Sequence, residues 1–329
     1  MRVPPALQQL HWELPHNFLG LDEDASAFDS ARVVILPVPY EATTSYGGGT
    51  RGGPGAIIES SRFIELYDQE LDCEPYDVGI CTLPSVELSG AGPETAMKEL
   101  RHAYDELRKA APDKFIITLG GEHSISSAPI LSWVNGWAAE TAPLPEFGDV
   151  VKPGGKRVDA GAVKTKRLTV LQFDAHTDLR TEYEGSAFSH ASVMYRVIDR
   201  VDLVSVGIRA LTREERELSR AQNNIHLFLA DDIHSSEAWM DDVMNKLGPD
   251  VYISFDVDCF DPSLVPSTGT PEPGGLQWYP VLKLLKRVFR ERTVHAVDIV
   301  ELAPLPGLIA PDFLVAKLVY KMIGYRFKQ

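Results

Sequence analysis

An apolar run, Leu168–Phe173, leads directly into Asp174-Ala-His176-Thr-Asp178. In extended backbone alternate residues project to one side, so these three side chains are expected to converge just past the end of a strand. A lone aspartate there would ordinarily cap a helix or a turn. Two aspartates and a histidine at alternate positions are instead a donor set for a divalent cation. A second run, Val251–Phe255, ends in Asp256-Val-Asp258. Two carboxylates on one side of a strand are costly to bury unless a cation neutralises them. Asp261, just before Pro262, is assigned to the turn and left out of the ligand set. A third run, Phe115–Leu119, reaches Gly120-Gly121, which permit a tight turn, and then presents Glu122 and His123. Ser124 is expected to N-cap the helix that follows.

The expected ligand set is therefore His123, Asp174, His176, Asp178, Asp256 and Asp258. Two histidines and four aspartates, without cysteine, suit two divalent ions bridged by carboxylates. Sulfur-ligated zinc is disfavoured, magnesium suits imidazole poorly, and two Mn2+ per subunit are expected. Two adjacent cations acidify a shared water, which makes hydroxide available as a nucleophile at neutral pH.

Strands are expected at Val33–Val38, Phe115–Leu119, Leu168–Phe173, Leu203–Val206, Val251–Phe255 and Val294–Val300. Several are continuously apolar, as parallel strands covered on both faces must be. Helical patterns lie between them at Gly55–Leu66, Glu94–Ala110, Ala191–Ile198, Arg213–Gln222, Glu237–Lys246, Tyr279–Phe289 and Asp312–Tyr325. The alternation predicts an α/β fold, a three-layer α/β/α arrangement around a doubly wound, mainly parallel sheet. Such sheets place their sites beyond the carboxyl ends of the strands, where the three motifs lie. With no internal repeat or dividing linker, residues 1–329 are expected to form one domain. Residues 1–25 are expected to form an N-terminal arm lying on the core or on a neighbouring subunit. Residues 137–166, rich in Pro, Gly and Lys, are expected to form a surface insertion.

A hydrophobic fraction of 44% with 24% charged residues fits a soluble globular chain. No apolar run reaches the ~18–20 residues that span a bilayer. The opening segment lacks the basic and apolar regions of a signal peptide. Three cysteines, with no CxxC pair, suit the reducing cytoplasm. A net charge of −15 opposes nucleic-acid binding and is compatible with a cationic substrate.

GGEHS (Gly120–Ser124), DAHTD (Asp174–Asp178) and SFDVDCFDP (Ser254–Pro262) resemble, in order and spacing, the three metal motifs of the ureohydrolase family of arginases and agmatinases. The resemblance extends to PYEATTSYGGGTRGGPGAI (Pro39–Ile57), GTPEPGGL (Gly269–Leu276) and DIVELAP (Asp298–Pro304). It implies an arginase-like fold and release of urea from a guanidinium. By position it implies that His123, Asp174, Asp178 and Asp256 hold one manganese, and Asp174, His176, Asp256 and Asp258 the other. Asp174 and Asp256 would bridge, and Asp178 would also pass a proton to the leaving amine. Glu301 would pair with the substrate guanidinium, whose planar donor fork fits a carboxylate. His190 would be the mobile proton shuttle. The family's trimers and hexamers imply a homo-oligomer.

Arginases usually continue DAHTD with Ile-Asn and a small-residue polar loop. Here Leu179-Arg180 and TEYEGSAFSH follow, which resembles the agmatinase branch. The expected substrate is a small cationic guanidino compound, agmatine, converted to putrescine and urea. Glu182 and Glu184 would attract its ammonium end, whereas Arg180 would favour a guanidino acid such as 4-guanidinobutyrate. The alternatives are another guanidino-acid ureohydrolase (guanidinobutyrase or arginase), a formiminoglutamase, a two-metal phosphoesterase, and an inactive structural subunit. The phosphoesterase lacks a basic phosphate clamp, and the inactive subunit has no reason to keep an intact ligand set.

Overall fold

The computed structural model describes residues 13–138, 167–235 and 238–328. Its strands are β1 (Val33–Val38), β2 (Ile80–Thr82), β3 (Phe115–Gly120), β4 (Thr169–Phe173), β5 (Asp202–Ile208), β6 (Ile225–Leu229), β7 (Asp250–Asp256) and β8 (Thr293–Val300). They form one sheet in the order β2-β1-β3-β8-β7-β4-β5-β6, and every pairing is parallel. Parallel strands need a crossover between them, which the intervening helices supply. These are α1 (Glu23–Ser26), α2 (Gly53–Ser61), α3 (Pro93–Ala110), α4 (Ser127–Ala138), α5 (Arg213–Ala221), α6 (Ala230–Ser235), α7 (Trp239–Lys246), α8 (Trp278–Glu291) and α9 (Ala310–Phe327).

Alternation along each strand divides the core into two layers. Val33 and Ile35, Ile117 and Leu119, Leu171 and Phe173, and Ile253 and Phe255 pack with α2, α7, α8 and α9 on one face. Leu36, Ile116, Val170 and Tyr252 point the other way, onto α3 and α4. This is the three-layer α/β/α fold expected.

Two short strands escaped the sequence reading. β2 has three residues, and four of the five residues of β6 are half-buried, so neither gives a sustained apolar run. The helix expected at Ala191–Ile198 is instead two single 3-10 turns, His190–Ser192 and Met194–Arg196. The carbonyl of Asp178 accepts from both Met194 N (3.1 Å) and Tyr195 N (3.2 Å), which diverts these donors from a helical ladder. The helix expected to run to Leu66 ends at Ser61, where the N–H groups of Arg62, Phe63 and Ile64 turn to carbonyls three residues back. From residue 13 the N-terminal arm lies on its own core. Phe18, Leu19 and Leu21 are buried, and Phe18 N donates to Thr82 Oγ1 (2.9 Å). Trp137 and Ala138 continue α4, and the rest of the expected insertion lies outside the described residues.

Candidate metal centre and pocket

The carboxyl ends of β3, β8, β7 and β4, four neighbours in the sheet, meet at one point. At the end of β3, a Cβ on Gly121 would stand 2.0 Å from the Tyr40 carbonyl oxygen, a separation only glycine permits. This close approach brings Glu122 and His123 inward, both buried. Ser124 does not cap α4 as expected. Its hydroxyl donates to Glu122 Oε1 (2.5 Å), and a 3-10 turn, His123–Ser126, precedes the helix.

After β4 the backbone does not stay extended, so a bend and a turn, not strand alternation, bring Asp174, His176 and Asp178 together. Asp178 has φ 52°, a left-handed conformation that aims its carboxylate back at the others. Asp174 Oδ1 accepts from His176 N (2.6 Å) and Oδ2 from Gln172 Nε2 (2.8 Å). Asp258 likewise lies on a 3-10 turn, Val257–Cys259, whose first N–H groups Asp256 caps by accepting from Asp258 N (2.8 Å). Asp258 Oδ1 accepts from Ala175 N (2.9 Å), which ties the β7 and β4 termini together. Asp261 accepts from Ser263 N, Gly274 N and Gly275 N in its turn, apart from the cluster.

His123 Nδ1 lies 2.9 Å from Asp178 Oδ2, 3.1 Å from Asp174 Oδ2 and 3.4 Å from Asp256 Oδ2. His176 Nδ1 lies 2.9 Å from Asp258 Oδ2 and 3.6 Å from Asp174 Oδ1. Ligand atoms of His123, Asp174 and Asp256 fall within 4.8 Å of one another, as do those of Asp174, His176 and Asp258. Asp174 is common to both groups, while Asp256 belongs to the first alone.

The tautomer of His123 tests whether a cation fits. Ser254 Oγ donates to Asp298 Oδ1 (2.9 Å), and Tyr252 OH donates to Asp298 Oδ2 (2.7 Å). Ser254 can then only accept from His123 Nε2–H (2.9 Å), which leaves Nδ1 as the nitrogen facing the carboxylates. Nδ1 is buried without a hydrogen-bond partner. A bare lone pair among three carboxylates is stable only around a positive charge. The imidazole N–H held by a polar relay is the usual support of a metal-binding histidine. The carboxylates respond in opposite directions. Burial, then the charge of Asp174, pushes Asp178 up to about 7, and burial drives Asp256 well above the usual carboxylate range. Burial would raise Asp174, but positive charge gathered at His123 and His176 outweighs it and holds that carboxyl low. Carboxylates this close cannot all ionise in a dry site unless a cation is shared among them. The donor set fits divalent ions.

Above the cluster opens a cavity of about 290 Å³. His123, His176, Asp178, Asp256 and Asp258 form its floor, and His190 and Glu301 its wall. Glu301 also has a left-handed backbone, φ 66°. Its Oε1 accepts from His123 N (2.6 Å), while Oε2 lies beside Gly269 on the cavity wall. Burial, partly offset by the His123 N–H, pushes its carboxyl up to about 8. His190 is placed between Thr43 and Ser45, with the Tyr183 ring edge-on at 5.8 Å.

The charges at the mouth differ from the sequence reading. Arg180 and Tyr183 line the cavity, with the Arg180 guanidinium 4.6 Å above the Tyr183 ring, whereas Glu182 and Glu184 do not line it. The acidic residues of the outer wall are Glu215 and Glu272. Glu215 is committed to the capping box of α5 and to Leu179 N. The Glu272 carboxylate makes no hydrogen bond or ion pair among the described residues. Its carbonyl is clamped by Arg209 (Nη2 at 2.7 Å), which also donates to the Asp258 carbonyl (2.7 Å). Ser254, Asp298, Gln172 and Arg209 were not singled out from sequence. The available signal was polar residues inside otherwise apolar strands, and an arginine directly after one.

The arginase family model matches residues 31–324. The N(1)-aminopropylagmatine ureohydrolase of Synechocystis sp. is 34% identical over 94% of each chain. The enzyme of that name from Thermus thermophilus is 37% identical, again over 94% of each. Among solved structures, the agmatine ureohydrolase of Thermoplasma volcanium superposes with a TM-score of 0.78 at 25% identity, covering 99% of this chain and 98% of that one.

Proposed function

The chain belongs to the arginase family, and on that footing we propose that it is a metal-dependent ureohydrolase acting on an alkylguanidine with a cationic tail. His123, Asp174, Asp178 and Asp256 would hold one divalent ion, and Asp174, His176, Asp256 and Asp258 the other, with manganese the ion of choice. Bound there, the ions supply Lewis acidity that activates a water for attack on the guanidinium carbon.

The observation that carries this reading is the second oxygen of Glu301, beside Gly269 on the cavity wall, with its partner oxygen fixed on His123 N. A planar guanidinium donates to such a carboxylate, which sets its carbon over the cluster floor. Water adds to that carbon, the C–N bond to the alkyl chain breaks, and urea and an amine leave. Asp178, on the cluster floor, gives the departing nitrogen its proton, and His190 exchanges protons between the cavity and solvent.

The tail decides the substrate. Agmatine and its N1-aminopropyl derivative both end in nitrogen cations and lack an α-carboxylate. The uncommitted Glu272 on the outer wall suits either, and the relatives named above favour the aminopropyl compound. Exposed Leu305, Ile309 and Phe313 support self-association into a homo-oligomer. The test is urea release from aminopropylagmatine, agmatine, 4-guanidinobutyrate and arginine after manganese loading. Absence of urea from all four would end the reading.

A further inference from the structure

Thr43 and Glu122 are absent from the cavity lining, yet together they connect to His190 on its wall. The Glu122 carboxylate is wholly buried and acts as a four-fold acceptor. Oε2 takes Ala42 N (2.7 Å) and Thr43 N (2.6 Å), and Oε1 takes Thr43 Oγ1 (2.8 Å) and Ser124 Oγ (2.5 Å). Thr43 Oγ1 in turn lies 3.0 Å from His190 N and 3.4 Å from His190 Nδ1.

The hydrogen-bond roles along this chain favour one arrangement. A carboxylate only accepts, so the single Thr43 hydroxyl proton must point to Glu122. Turned towards His190, that proton would leave two acceptor oxygens facing each other at 2.8 Å in a buried site. The two lone pairs of Thr43 Oγ1 are then left for the two N–H groups of His190, that of the backbone and that of Nδ1. Nε2 becomes the nitrogen with the lone pair. It faces the cavity, with Ser45 Oγ at 3.5 Å.

We propose that Thr43, anchored by Glu122, is a positioning residue that fixes the tautomer and orientation of His190, so that Nε2 meets the reaction as a proton acceptor. The inference rests on the ureohydrolase reading for its activity test but not for its structural one. The hydrogen of the wrong tautomer would point into the cavity, where a base is needed. General acid–base groups contribute roughly 10²–10⁴-fold, and a histidine that must find its tautomer unaided forfeits part of this.

The test combines Thr43→Val, Thr43→Ser and His190→Ala with a selective 15N-histidine spectrum of the wild-type enzyme loaded with zinc. Thr43→Val should lower kcat roughly 10–100-fold with KM within about twofold, and Thr43→Ser should restore most of it. In the His190→Ala background Thr43→Val should cost nothing more, because the group it serves is gone. Losses that multiply, or a serine variant as poor as valine, would overturn the proposal. The spectrum should show the His190 proton on Nδ1, and a proton on Nε2 would overturn it whatever the variants do. If the wild type released no urea, the ureohydrolase reading would fail, while the tautomer would still be decided by the spectrum.

Discussion

Glu301 Oε1 accepts the backbone N–H of His123 at 2.6 Å, so the proposed guanidinium partner is fastened to the residue that begins the metal cluster. One oxygen is structural, and the other is the one proposed to meet the substrate. Glu301→Gln keeps an acceptor for His123 N but removes the charge that a bound guanidinium would draw onto the carboxyl. It should retain metal content and melting temperature. Hydrogen bonds to charged groups are worth about 1.5–3 kcal/mol, so kcat/KM should fall roughly 10–150-fold. Loss of metal together with activity would show that the carboxylate serves the fold instead.

Asp174 belongs to both ligand groups, whereas Asp258 belongs to one. Asp174→Asn is therefore expected to remove both ions, and Asp258→Asn only one. Elemental analysis after manganese loading and desalting reads the stoichiometry directly, with close to two ions expected in the wild type. Chelation should also lower the melting temperature, since an ion at 100 times its Kd stabilises by about 2.7 kcal/mol. A single ion in fully active wild type would refute the two-ion proposal.

Burial lowers the pKa of His190 from the usual 6.5, the Glu122 charge and a hydrogen bond to the Thr43 backbone offsetting it only in part. His190 thus keeps its neutral, proton-accepting form to a lower pH than an ordinary histidine. The acid limb of kcat/KM that reports it should fall below pH 6.5 and vanish in His190→Ala. That variant should lose roughly 10²–10⁴-fold at neutral pH. Full activity across the profile would remove His190 from the mechanism.

Arginine should be a poor substrate, because its carboxylate and α-ammonium lose water without matched partners. An imperfectly paired buried polar group costs ~1–3 kcal/mol, so kcat/KM should be at least 10–100-fold below that of the aminopropyl compound or agmatine. Glu272→Gln should raise KM for both amines and leave 4-guanidinobutyrate unaffected. If 4-guanidinobutyrate proves best, the Arg180 guanidinium governs the tail in place of Glu272.

Away from the cavity, buried Lys321 donates to Asp68 (2.8 Å) and Glu70 (2.9 Å). Burial raises the Glu70 pKa, but hydrogen bonds from Lys321, Lys286 and Tyr325 win and hold it at about 2, against an ordinary 4.5. Its contribution to stability is full above pH 4.5 and drains away as the pH falls towards 2. Lys321→Met leaves Asp68 charged and buried, and should destabilise by about 3–5 kcal/mol. Urea denaturation at pH 7 and pH 3 checks both statements: the wild type should weaken at pH 3, and the cost of the substitution should shrink there.

The six long strands were legible because strands covered on both faces must be continuously apolar, and the polar residues ending them then stand out. β2 and β6 lie at the sheet edges, are short or half-exposed, and carry no such contrast. Asp174 and His176 could be picked from spacing, yet the turn that aims Asp178 could not, since a left-handed aspartate has no periodic signature. The expected helix at Ala191–Ile198 failed for a related reason: the Asp178 carbonyl claims its donors from outside the local sequence. Arg180 and Glu272 sit 92 positions apart in the chain, and only the folded pocket shows which of the nearby charges lines it.

The place of β8 bears on how the protein is made. It is the last strand in the chain, yet it lies in the middle of the sheet, between β3 and β7. Until residues 293–300 have left the ribosome, β3 and β7 each present an open edge, and neither can join the other. Once β7 (Asp250–Asp256) has emerged, nascent chains therefore carry both unpaired strand edges until β8 follows, the condition in which chaperones are needed. Glu301 and the relay through Asp298 arrive with that strand. The proposed catalytic centre is thus finished in the same event that closes the sheet, and a chain stopped short of β8 should be both inactive and prone to aggregate.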